Sequence, residues 1–92
     1  MKLCELEKLV NFCNNITIKG NITIKQYYCY FNHNNISYYA IIKPINNNIS
    51  ECSIFSIIDK SSNNKNLLYR NNNVKTTKKY LRQCICDYLF TL

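Results

Sequence analysis

The sequence predicts an α+β fold, a three-stranded antiparallel sheet packed against two helices. Three patterns predict it: an apolar stripe at helical spacing near the C-terminus, two β-rich runs in the middle, and an amphipathic segment at the start.

In the first pattern, Leu81, Ile85, Tyr88, Leu89 and Leu92 recur at the spacing of one helix face. Thr76 or Thr77 supplies the N-cap. In the second, residues 36–43 (ISYYAIIK) form a strand ended by Pro44, and the loop at Asn46, Asn47 and Asn48 leads to another at residues 50–59 (SECSIFSIID). There Cys52, Ile54 and Ser56 share one face, with Ser53, Phe55 and Ile57 on the other. Residues 67–70 (LLYR) make a short third strand, and the asparagines at 71–73 turn the chain. In the third pattern, Leu3, Leu6, Val10 and Cys13 line one side of a helix over residues 2–13.

Residues 16–31 read two ways. ITIKGNITIK is a near-duplication about Gly20-Asn21, which locally signals a hairpin with a two-residue loop. Alternatively, Asn21 caps a helix over residues 22–31, with Ile24, Tyr28 and Phe31 on one face. Local physics leaves both open.

Ninety-two residues make one small domain, which buries roughly 60–65% of its unfolded surface. Sixteen asparagines and thirteen isoleucines reflect AT-rich coding, so asparagine runs indicate little beyond loops. The start MKLCELEKLV lacks the apolar stretch of a signal peptide. No run approaches the roughly 20 apolar residues that span a bilayer. A soluble, intracellular protein is expected, and its six cysteines are expected as free, mostly buried thiols. Cys84 and Cys86 point to different sides of a helix, and with one histidine no zinc site or other cofactor is expected. One histidine and five acids likewise leave little for catalysis, so no enzyme is expected.

The net charge of +7 is concentrated. Residues 60–82 hold Lys60, Lys65, Arg70, Lys75, Lys78, Lys79 and Arg82 with no acid, whereas earlier charges nearly cancel. Such a footprint fits a polyanion, either nucleic acid or an anionic membrane surface. Its densest part opens the last helix, where the macrodipole is already positive and each cation costs about 0.3–1 kcal/mol. A docked phosphate, held by the same backbone amides, would offset that cost.

The run Thr77-Lys78-Lys79-Tyr80-Leu81-Arg82, followed by Ile85-Cys86, resembles the third RNA-contact region of the double-stranded RNA-binding domain. The order helix, three strands, helix is similar too. Tyr28-Cys29 ahead of the strand at Ile36 resembles the poxviral interferon-antagonist members. The family's Gly-Pro-x-His loop is KPINNN here, keeping Pro44 alone.

The resemblance favours the helix at 22–31; a competing alignment makes residues 2–13 the first helix and turns 22–31 into a strand. It implies an α-β-β-β-α domain over residues 21–92, with 1–20 as a helical N-terminal extension. It further implies shape recognition of an A-form duplex. Lys78, Lys79 and Arg82, with Lys75 and Thr77, would face phosphates; Gln26 and Tyr30 would meet 2′-hydroxyls; Asn46, Asn47 and Asn48 would meet the next groove. Among Tyr27, Tyr28 and Tyr30, at least one ring is expected in the core. The implied role is a viral protein hiding duplex RNA from host antiviral sensing in the host cytoplasm or nucleus. The RNA-activated kinase or RNA-silencing components would be further partners. The alternative is a degenerate domain serving as a protein-interaction or homodimerisation module.

Overall fold

The computed structural model of the chain describes residues 3–59, 61–62 and 64–92; Lys60 of the basic run lies outside them. The elements are α1 (Leu3–Asn14), β1 (Lys19–Asn21), β2 (Gln26–His33), β3 (Ile36–Pro44), β4 (Ser50–Asp59), β5 (Asn64–Val74) and α2 (Lys78–Phe90). The α+β class stands, but among the described residues the sheet has five strands rather than three. They run β1-β2-β3-β4-β5 as one antiparallel meander.

The largest correction falls on residues 22–31, which form a turn and most of β2 instead of a helix. Tyr27, Cys29 and Phe31 alternate toward the core while Tyr28 and Tyr30 face away, a period of two that a helix cannot satisfy. Asn34 and Asn35, at φ 50° and 67°, then make the tight turn into β3. Positive φ at both central residues is what a two-residue hairpin loop needs, and asparagine tolerates it.

The hairpin reading of Gly20-Asn21 is right in kind and displaced in register. Gly20 pairs with Tyr27 and Asn21 with Gln26, so the turn is residues 22–25. Asn21 caps no helix; its Oδ1 accepts the Thr23 N–H at 3.0 Å. Lys25 closes the turn at φ 49°. Gly20 lies under the ring of Tyr27, into which any Cβ would be driven. The third strand is also longer than its apolar run. It extends over Asn64–Val74 because the 71–73 asparagines continue pairing, Cys52 opposite Asn71 and Ser50 opposite Val74, across a register shift.

Both helices cover one face of the sheet. Leu81, Cys84, Ile85 and Leu89 of α2 meet Cys29, Phe31, Tyr38, Ala40, Ile42, Cys52 and Ile54 in a single core. Leu81 and Ile85 are fully buried, and each contributes about 1.5–3 kcal/mol. Leu92 is exposed beyond the helix end. Leu9, Cys13, Ile16 and Ile18 belong to the same core. Residues 3–18 therefore contribute side chains to the same core as residues 21–92. The buried side of α1 is also rotated from the expected stripe: Leu9 and Cys13 are buried while Leu3 and Val10 are exposed.

Candidate nucleic-acid interface

Antiparallel pairing decides which loops share an end. The 22–25 turn, the β3–β4 loop, the end of β5 and the start of α2 all lie at one end of the sheet. There a cleft of about 730 Å³ is lined by Lys25, Pro44, Asn46, Asn47, Asn48, Lys75 and Thr76. The Ser50 and Thr76 hydroxyls hydrogen-bond at its base and tie β4 to the α2 approach.

The loop is built by its own first asparagine. Asn46 Oδ1 accepts the N–H groups of Asn48 at 2.8 Å and Ile49 at 3.0 Å. Asn47 and Asn48 are exposed. The α2 N-cap is Thr77, extended at φ −143° and ψ 157°, whose hydroxyl accepts the Tyr80 N–H at 3.1 Å. Lys78 and Lys79 follow, both exposed, and their amides head the helix. No acid lies in that first turn.

The sequence-selected residues thus divide into groups. Lys75, Asn46, Asn47 and Asn48 share the cleft, with Thr77 and Lys78 next in the chain. Gln26, half-buried, begins β2 directly after Lys25 of the cleft. Lys79 and Arg82 line a different groove, between α1 and α2. Arg82 is turned inward there: its Nη2 donates to the Ile16 carbonyl at 3.1 Å, and its Nε is buried. Tyr30 is on neither helix nor cleft. It stands on the open face of the sheet, four residues along β2 from Gln26, roughly 13 Å away.

That open face escaped sequence reasoning. Cross-strand register sets Tyr30 opposite Tyr39, Tyr39 opposite Phe55, and Phe55 opposite Leu67. Tyr27 is the ring of its trio that packs on the core. The alternation in 50–59 was the available signal, since it leaves Phe55 and Ile57 on the side away from Cys52 and Ile54.

Of the six cysteines, Cys13, Cys29, Cys52 and Cys84 are buried thiols. Burial pushes Cys29 up to about 12 against the pull of Arg82. The shared hydrogen bond with Cys84, together with burial, raises Cys52. No three metal-ligating side chains converge among the described residues, and no described helix is long and apolar enough to cross a membrane.

No family model, curated protein or solved structure matches the chain.

Proposed function

We propose that the chain is a non-catalytic RNA-binding protein that grips the backbone of double-stranded RNA with its basic end. The supporting observation is the convergence of Lys25, Lys75 and the 46–48 loop on one cleft, continuous in the chain with the cationic first turn of α2. Lysines there neutralise phosphates, and the helix macrodipole adds to their field. Asparagine amides both donate and accept, which suits the 2′-hydroxyls that mark RNA.

The contact set is Lys25, Lys75 and Lys78, with Lys79 beside them on the exposed first turn of α2 although it also borders the α1–α2 groove, and Asn47, Asn48 and Gln26 as polar partners. Arg82 is left out because its guanidinium serves the Ile16 carbonyl, and Tyr30 because it stands on another face. The five-stranded meander departs from the α-β-β-β-α pattern of the family that the Thr77-to-Arg82 motif resembles. The proposal therefore rests on phosphate contacts and not on that family's two-groove footprint. Tyr28-Cys29, the pair that carried the poxviral resemblance, lies on β2 and not on a helix, so a role in hiding duplex RNA from host sensing is proposed from duplex binding alone.

Equilibrium binding of duplex RNA and of a duplex DNA of equal length, repeated at rising salt, tests the proposal. Duplex RNA is expected to bind more tightly, with affinity falling steeply as salt rises. Absence of binding, or binding indifferent to salt, rejects it.

A further inference from the structure

The sheet face away from the helices carries an aromatic row where a solvent-facing antiparallel sheet ordinarily shows polar side chains. Ring centroids are 4.8 Å apart for Tyr30 and Tyr39 and 6.1 Å for Tyr39 and Phe55, with interplanar angles of 34° and 28°. Tyr28 lies 6.3 Å from both Tyr30 and Tyr39. The row ends at Tyr30, which is 59% exposed. There β2 is the sheet edge, because β1 begins only at Lys19, opposite Tyr28. A flat ring can approach the row from that side.

Cations border it. Lys65 Nζ sits 5.0 Å over the Tyr39 ring. Arg70 stands opposite Ser53 in the neighbouring row, and Lys19 is at that row's other end beside Tyr28. The bordering acid, Glu51, is engaged by Arg70 at 3.2 Å.

We propose that this open face binds single-stranded nucleic acid by stacking an unpaired base on Tyr30, the open end of the aromatic row, with Lys19 and Lys65 supplying the positive border that attracts the phosphates. Every base has a π-face, so aromatic stacking beside a cationic border needs no particular sequence. Tyr30, Tyr39 and Phe55 already cover one another's faces, so the face left open to a base is the outer one of Tyr30. A second copy is the poorer occupant. Laid face to face, two copies would oppose the same cations, which a polyanion neutralises instead. The surface is distinct from the basic end, so the protein would engage unpaired and duplex segments independently.

Fluorescence anisotropy of the full chain against labelled oligouridylate, oligothymidylate and duplex RNA tests the proposal. Tyr30→Ala and Tyr30→Phe are compared with wild type after melting curves verify folding. Tyr30→Ala is expected to weaken both single strands about ten-fold, with duplex binding unchanged, while Tyr30→Phe keeps the ring and the affinity. Oligouridylate favoured over oligothymidylate assigns the ligand to RNA; equal binding assigns it to either single strand. Wild-type single-strand binding by Tyr30→Ala overturns the proposal. So does a concentration-dependent wild-type dimer that Tyr30→Ala dissociates, which would make the face a self-association surface.

Discussion

Arg82 of α2 reaches across to Ile16, sixty-six residues earlier, and donates from Nη2 to its backbone carbonyl at 3.1 Å. Ile16 is buried between α1 and β1. The guanidinium therefore satisfies an acceptor in the one connection that joins the N-terminal helix to the sheet.

The consequence is a stability role for a residue whose motif reads as RNA-binding. Arg82→Ala removes a charge-assisted hydrogen bond and leaves the Ile16 carbonyl unpaired, which costs about 1.5–3 kcal/mol. Urea unfolding is expected to show that loss as a lower midpoint. Duplex RNA affinity, measured on folded protein, is expected to change far less than in the Lys78 and Lys79 variants. A large affinity loss with unchanged stability would return Arg82 to the contact set.

Lys78 and Lys79 are exposed, and in the proposed function they act on duplex RNA through charge. If Lys25, Lys75, Lys78 and Lys79 each neutralise one phosphate, the logarithm of affinity falls against that of salt with slope about −3 to −4. Lys78→Ala with Lys79→Ala should flatten that slope by about 2. The melting temperature should hold or rise, since two cations leave the positive end of a helix. An unchanged slope would place the phosphates elsewhere.

Much of this architecture was legible in the residues. The α2 stripe and the strands at 36–43 and 50–59 read correctly because each has a single dominant period and a clear stop. Residues 22–31 misled because Tyr27, Tyr28, Tyr30 and Phe31 satisfy a helical spacing and an alternation at once. The deciding signal was Asn34-Asn35, two residues tolerant of positive φ between apolar runs. It was hidden among sixteen asparagines spread along the chain. The Arg82–Ile16 bond and the Tyr30–Tyr39–Phe55 row depend on tertiary placement and strand register, which no local pattern encodes.

Buried thiols make stability fall in alkali. Cys29 is 1% exposed, and burial raises its thiol from an ordinary 9.0 to about 12. Below about pH 9 both folded and unfolded chains keep the proton, so the contribution is fully present. Between there and about pH 12 the unfolded chain loses the proton while the folded one retains it. Stability then falls by up to about 1.4 kcal/mol per pH unit for this group. Cys13 shifts in the same direction and steepens the wild-type decline. Cys29→Ala should lessen the alkaline slope by as much as one proton, whatever its cavity costs at neutral pH. Denaturant titrations across that range give the slope directly; equal slopes would mean that Cys29 does not titrate differently on unfolding.

Thr77 separates helix capping from phosphate contact, because two substitutions there move the two properties differently. Thr77→Ala deletes the acceptor for the Tyr80 N–H and should cost about 0.5–2 kcal/mol. Thr77→Asp keeps an oxygen in the same position, caps at least as well, and places a negative charge at the positive end of α2. That charge should leave stability unchanged or raise it by about 0.3–1 kcal/mol at low salt. The same carboxylate would stand beside Lys75 and Lys78, where a phosphate is to dock, and repel it. Duplex affinity should therefore fall in Thr77→Asp as thermal stability holds or rises, and the affinity loss should shrink as salt screens the charge. Measured together, calorimetric melting and salt-titrated binding give opposite signs only if the first turn of α2 meets the RNA backbone. If Thr77→Asp binds duplex RNA like wild type, the basic end is a solvated helix start.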